Sequence, residues 1–448
     1  MPLSAAPKHL RPRRVLWLAG YTLVVAAPLL VLLPTGLLNR RGAGFWFDFS
    51  MGLGFGTLSL LGGQFLLTAR FRRVTAPFGT DVVYLFHRWL AVGAVLLGLA
   101  HCGILRAAYP ATLTPWRPDR APLHMTAGRV ALAIFVMMVV SSLWRVVLRL
   151  EYDRWRVAHA VLAISGMVLA LVHIHGIDYY TGTFWTQSLV DLFVASLVGV
   201  VAYVRVIRPA LTTASPYRVA SVRPEHGAVT TLELVPEGHE GMRFLPGQFG
   251  WLSLGHAPWR ADEHPFSFSS APRSDGSLAV SIKALGDFTA TVADTPVGTV
   301  AYVDGPHGIF SVDLHPDANG FFFLAGGIGI APVMSMLRAL AERGDARPVR
   351  LVYGNRLWDG AAFREELAAL HERMDLEVTH VLQEPAPGWT GAVGLPGPDV
   401  IASALDTLPR GVRCFLCGPV PLTRMAQDAL RSRGVPTSHV HLELFQMA

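Results

Sequence analysis

The chain has 448 residues, enough for two to four domains, with 52% hydrophobic and only 16% charged. A mean hydropathy of +0.39 excludes a wholly soluble chain and points to a membrane protein with a soluble part. The formal charge of +6 sits on basic residues beside apolar runs, which argues against a nucleic-acid partner, and the three cysteines (Cys102, Cys414, Cys417) exclude a disulfide framework.

Residues 1–14 are polar and basic, and an apolar run from Val15 to about Leu38 follows that is too long for a signal-peptide core. Further apolar runs at about 45–69, 82–106, 126–148, 155–176 and 187–207 complete six expected spans of membrane-crossing length. Thirteen basic flanking residues, among them Arg14, Arg72, Arg149 and Arg208, fall on one side of these spans. Five fall on the other: Arg40, Arg41, Arg106, Arg117 and Arg120. The imbalance places both termini in the cytoplasm, and the compact loops fit a bacterial inner membrane.

Histidines punctuate two of these runs at equal intervals. His87 and His101 stand fourteen residues apart in the third, and His159 and His173 fourteen apart in the fifth. On an α-helix fourteen residues turn through about 1400°, within about 40° of four whole turns, and rise about 21 Å. Each pair therefore shares one helix face across most of a hydrocarbon core. Two such helices side by side offer an inner haem site, His87 with His159, and an outer one, His101 with His173. The alternative is four polar side chains satisfied by neighbouring helices, an arrangement that is costly for ionisable groups at this depth. Arg88, Arg154 and Arg156 stand near the inner pair, as propionate partners or interfacial anchors. His175 faces about 200° away from His173 and joins His124 and Arg106 as a candidate lining an outer acceptor site.

After Arg208 the pattern changes to short β-like runs separated by turn residues, and 215–313 reads as a small antiparallel barrel. Within it, His264-Pro265-Phe266-Ser267 runs on to Ser269 and Ser270, setting an aromatic beside small hydroxyls, the mixture a flavin ring needs. Gly286-Asp287-Phe288-Thr289 offers a turn for a pyrophosphate. From Phe321 the pattern becomes βαβ. A buried strand leads into the glycine-rich turn Gly326-Gly327-Ile328-Gly329-Ile330-Ala331-Pro332 and then a helix, the layout of a dinucleotide site. A second strand ends at Asn355-Arg356, where the guanidinium could meet an adenosine 2′-phosphate or stand solvated in a loop. The strand Cys414–Cys417 ends at Gly418-Pro419, so Cys417 and Gly418 would line a nicotinamide pocket. Its C-x-x-C lacks a second thiol pair, which leaves no zinc site.

Together these residues resemble the ferric reductase-like transmembrane and NADPH oxidase family, in which a six-helix di-haem domain is fused to a ferredoxin–NADP reductase-like module. The resemblance rests on the paired histidines, His264-Pro-Phe-Ser-Phe-Ser-Ser, Gly286-Asp-Phe-Thr, the turn at Gly326–Pro332 and Cys417-Gly-Pro. It implies a six-helix transmembrane bundle over 1–210, an antiparallel β-barrel FAD domain over 215–313 and a Rossmann-like α/β NAD(P)-binding domain over 314–448. It further implies that His264, Pro265, Phe266, Ser267 and Ser270 contact FAD, with Ser267 near the reactive flavin nitrogen. Gly286, Asp287 and Thr289 would hold the FAD phosphates. Gly326, Gly327, Gly329, Pro332, Cys417, Gly418 and Pro419 would hold NADPH, with NADH as the alternative, and Phe445 would cover the flavin. The implied activity is transfer of electrons from NADPH through FAD and two b haems to an acceptor beyond the membrane, dioxygen or a ferric chelate. A haem carrier feeding a partner protein is the other reading.

Overall fold

Proline 28 shapes the first apolar run. It lacks an N–H and clashes with the preceding turn, so helix α1 (Arg11–Ala26) gives way to a 3₁₀ turn over Ala27–Val31. In this computed structural model residues 11–32, 44–69, 80–113, 120–177, 179–259 and 263–443 are described. Among them five helices are long and apolar enough to cross a membrane, one fewer than the sequence reading expects, and the first run supplies only the shorter apolar helix Val15–Leu30. The five are α2 (Phe45–Thr68), α3 (Thr80–Ala108), α4 (Leu123–Leu143), α5 (Tyr152–Ile177) and α6 (Phe184–Ala202). The last passes through a π turn into α7 (Arg208–Thr213). Residues 13–71 and 83–208 form one compact unit.

Helices α4 and α5 make a tight hairpin because glycines stand where rings must fit. A Cβ on Gly128 would lie 2.6 Å from His173 Nδ1, and one on Gly166 would lie 2.8 Å from the Phe135 ring. Neither contact is tolerable, so the helix backbones approach only with glycine in place.

The second unit is built mainly from residues 209–447. Its first part is a curled antiparallel sheet of β1 (Tyr217–Glu225), β2 (Val229–Pro236), β3 (Phe249–Leu254), β4 (His264–Ser267), β5 (Leu278–Lys283) and β6 (Val300–His307), in the order β4-β3-β6-β1-β2-β5. A bridge between Phe268 and Val280 brings the two edges together. Alternating residues such as Leu232, Leu234, Leu252 and Val280 fill its interior. A one-turn helix, α8 (Asp287–Thr291), follows β5.

Its second part is a six-stranded parallel sheet in the order β10-β9-β8-β7-β11-β12. The strands are β7 (Phe321–Gly326), β8 (Val349–Asn355), β9 (Leu376–Leu382), β10 (Ala392–Val393), β11 (Arg413–Cys417) and β12 (Val440–Glu443). The helices are α9 (Ile330–Glu342), α10 (Arg364–His371), α11 (Pro398–Asp406) and α12 (Val420–Ser432). Phe321 and Phe323 belong to one core with α9 and α10, Phe322 and Leu324 to another with α11 and α12. Burial on both faces explains why β7 reads as an unbroken apolar run. The strand order reverses at β7, which puts the carboxyl ends of β7 and β11 at the switch point where open α/β sheets bind ligands.

Candidate redox sites

The equal histidine intervals become two uninterrupted helices, α3 carrying His87 and His101, and α5 carrying His159 and His173. At one rung the His87 and His159 rings lie 6.4 Å apart, centroid to centroid, inclined by 61°. Two metal–nitrogen bonds of about 2 Å, with about 1.1 Å from each nitrogen to its ring centre, separate imidazoles on a common metal by about 6 Å. Nδ1 of both rings is buried without a hydrogen-bond partner among the described residues, as is Nε1 of Trp155, whose ring stands 5.0 Å from His159.

At the other rung the ring nitrogens are anchored. His101 Nδ1 lies 2.8 Å from the Ser50 carbonyl oxygen, and His173 Nδ1 lies 2.9 Å from that of His124. A carbonyl only accepts, so Nδ1 carries the proton in both and Nε2 keeps its lone pair. That is how a metal-binding imidazole is oriented. Among the described residues no group of three or more His, Cys, Asp or Glu could hold a metal ion, but a bis-imidazole haem asks for two side chains only. The donor set fits that group. His175 turns toward α6, with Nε2 3.2 Å from Asp191, so it leaves the His101/His173 rung as its 200° offset requires.

In the soluble unit, Ser267 on β4 is paired in register with Phe249 on β3, and Phe249 with His307 on β6. Directly opposite residues share a face, so these three side chains form one row. The Ser267 hydroxyl is buried and has no hydrogen-bond partner among the described residues, which leaves a donor available to a bound group. His264 and Phe266 are joined by Phe288, which stacks 4.1 Å from the first and 6.1 Å from the second. Two expected contacts take other partners. The Ser270 hydroxyl accepts from the Ala279 N–H inside the sheet, and the Thr289 hydroxyl accepts from the N–H groups of Leu285 and Gly286. Ser270 thus serves strand pairing, and Thr289 closes its own turn. Pro265 and Asp287 lie beside them in β4 and α8.

The glycine-rich turn and the Cys417–Pro419 turn meet at the switch point. A Cβ on Gly329 would lie 2.3 Å from the Cys417 carbonyl oxygen, and one on Gly326 would lie 2.9 Å from Pro419. Gly327 has φ +54 with open space around it, facing outward. Gly418 packs against Gly326, and Pro332 is buried in the first turn of α9. Cys417 itself is fully buried, and burial together with the neighbouring Glu443 carboxylate holds its thiol well above the ordinary range. Glu443 is paired in register with Cys417, and sequence reading missed it although it stands two residues before Phe445. Phe445 lies outside the described residues. Arg356 is exposed and bound to Glu384, Nε to Oε1 at 2.9 Å, so the expected phosphate partner already has a carboxylate on it.

Residues 53–172 match the family described as ferric reductase like transmembrane component, and residues 323–428 match the oxidoreductase NAD-binding domain. The chain thus holds a segment that matches a ferric reductase-like transmembrane component and, after it, one that matches an oxidoreductase NAD-binding domain. The first segment and the five apolar helices mark an integral membrane protein, and the second is a domain of the NAD-binding oxidoreductase type. Its NAD-binding side is similar to the "3-ketosteroid-9-alpha-monooxygenase, ferredoxin reductase component" of Mycolicibacterium smegmatis, 34% identical over 223 residues, 47% of this chain and 60% of that one. It is also similar to "Cytochrome b5 reductase 4" of Danio rerio, 30% identical over 186 residues, 40% of this chain and 34% of that one. The fusion spans about three fifths of the length of the first of these. A solved structure titled "Ferredoxin reductase in carbazole 1,9a-dioxygenase" aligns with 26% identity and TM-score 0.45, covering 52% of this chain and 69% of that one.

Proposed function

We propose that the fusion carries electrons from cytoplasmic NADPH, through FAD and two b haems, to an acceptor on the far side of a bacterial inner membrane. Dioxygen, reduced to superoxide, is the leading acceptor. The observation that carries this reading is the His87/His159 pair at 6.4 Å, repeated fourteen residues along the same two helices by His101 and His173 with their Nδ1 protons fixed. FAD held there would supply the conversion from two-electron hydride uptake to single-electron release, and haem would supply one-electron acceptance.

The chain's residues do the positioning. His87 and His159 would hold the inner haem, His101 and His173 the outer one. Ser267 would offer its hydroxyl to the flavin edge, His264, Phe266 and Phe288 would provide the apolar wall, and the Gly326–Pro332 turn would receive the nucleotide phosphates at the start of α9. A protonated Cys417 adds no charge to the nicotinamide pocket. This supports a division into a membrane domain (1–210), a flavin domain (215–313) and a nucleotide domain (314–448), with both termini cytoplasmic.

A second reading, delivery to a partner protein, is favoured by relatives that are themselves reductase components of oxygenases. One experiment separates the readings. The purified protein is reduced anaerobically with NADPH, and haem reoxidation is timed after oxygen or ferric citrate is added separately. Fast reoxidation by oxygen with superoxide formed supports the first reading. Fast reoxidation by ferric citrate alone makes it a chelate reductase, and neither leaves partner delivery. Protein without a b-type spectrum would remove the haem reading altogether.

A further inference from the structure

Helix α9 does two jobs at once. Its first turn follows the glycine-rich phosphate turn, and its middle is stitched to the flavin segment. Ser335, fully buried, donates to the Ser270 carbonyl oxygen at 2.6 Å and accepts from the Gly247 N–H at 3.1 Å. One turn later Arg338, largely buried, donates to the Ser269 carbonyl oxygen at 2.5 Å. The rest of its guanidinium is gripped by Glu366 on α10 in a two-pronged pair, Nε to Oε1 at 2.7 Å and Nη2 to Oε2 at 2.6 Å, and the group lies 5.2 Å over the Phe363 ring. A bidentate pair of this kind fixes direction as well as distance.

A Cβ on Gly247 would lie 2.2 Å from the Phe310 carbonyl oxygen and 3.2 Å from Met336 Sδ of α9, so the Pro246-Gly247-Gln248 turn fits against α9 only with glycine there. Ser269 and Ser270 are two and three residues from Ser267. The chain of contacts from the nucleotide turn to the flavin-facing hydroxyl is therefore short and made of hydrogen bonds between buried groups.

We propose that Ser335 and Arg338 are positioning residues that set the distance between the nicotinamide and the flavin for hydride transfer. This rests on the flavin and nucleotide reading above. In that step the nicotinamide C–H bond breaks and a flavin N–H bond forms. A proton and two electrons move together, leaving the nicotinamide positively charged. The rate of such a transfer falls steeply with misplacement, by about 100-fold for about 1 Å. Neither side chain touches either cofactor in this scheme. Each acts by fixing α9 against the barrel.

The test is stopped-flow reduction of the full-length, FAD-loaded protein in detergent by NADPH and by 4-deuterated NADPH. Ser335→Ala and Arg338→Lys are compared with wild type, with FAD content and thermal midpoint recorded for each. The expected result is retained FAD, a weaker long-wavelength charge-transfer band between nicotinamide and flavin, and reduction slowed about 10- to 100-fold. The deuterium effect should be at least as large as in wild type. Ser335→Thr, which keeps the hydroxyl, should recover part of the band. If Ser335→Ala failed to fold, Arg338→Lys would carry the same test through its own hydrogen bond. Unchanged charge-transfer absorbance and unchanged rate in the folded variants would overturn the proposal while leaving the flavin reading intact. A wild-type flavin that no nicotinamide reduces would overturn both.

Discussion

Single side chains decide the chemistry where the fold leaves one polar atom unsatisfied or one charge already engaged. Ser267 is the first kind. Removing a lone hydroxyl donor aimed at developing charge costs about 100- to 1000-fold in comparable sites. Ser267→Ala is therefore expected to slow flavin reduction within that range while FAD stays bound, as stopped-flow absorbance would show. Arg356 is the second kind. Its pair with Glu384 is exposed on both sides and so contributes little to stability, but it decides what meets a 2′-phosphate. Arg356→Ala should weaken NADPH far more than NADH. Glu384→Gln, by freeing the guanidinium and removing a repelling carboxylate, should lower the KM for NADPH relative to NADH. Equal changes for the two nucleotides would retire the assignment. The arginine was legible in sequence because it ends a strand. Its carboxylate partner was not, because Glu384 is twenty-eight residues away and arrives only when β8 and β9 pair.

At the scale of elements, helix packing decides whether an imidazole ladder is usable. Gly128 leaves the His173 ring its place, so Gly128→Val should displace that ring and remove one haem of two, much as His173→Leu would. Pyridine haemochrome counts that stay at two per chain in either variant would contradict the outer assignment. The parallel sheet carries a pH dependence of its own. His441 on β12 is buried, its ring tilted against His315 at 4.1 Å and Phe415 at 4.9 Å, and its Nε2 has no hydrogen-bond partner among the described residues. Burial, with His315, Arg413 and His439 nearby, holds its pKa well below the ordinary 6.5. Below about pH 6.5 the unfolded chain takes up a proton there that the folded sheet refuses, so stability is full above that value and is lost as the pH falls. The thermal midpoint should drop from pH 7 to pH 5, and drop less in His441→Phe, which keeps the ring and removes the titration.

For the whole molecule the prediction is direction. The proposed orientation, argued from the basic residues, has the nucleotide-binding half in the cytoplasm. In sealed proteoliposomes, externally added NADPH should then reduce an acceptor trapped in the lumen, and reduction should cease when the membrane domain lacks His101. Rapid reduction of an external acceptor by that variant would mean that electrons leave from the flavin and bypass the ladder. Much of this organisation was readable beforehand, since length and apolarity alone define a span, and five runs became crossing helices. Among the described residues the first run supplies a shorter apolar helix, because Pro28 turns the α-helix into a 3₁₀ turn.

What the sequence determined by itself are the features set by local periodicity: the fourteen-residue histidine intervals, the change from helical to strand patterning after Arg208, and the glycine-rich turn between β7 and α9. These follow from backbone geometry, which every segment carries with it. Only the tertiary structure decided that His87 and His159 face each other, that the Ser270 hydroxyl is taken up inside the sheet while Ser267 finds no partner among the described residues, and that Ser335 and Arg338 lock α9 to the flavin segment. Those facts depend on groups distant in the chain competing for the same hydrogen bonds, and such a competition has no local signature.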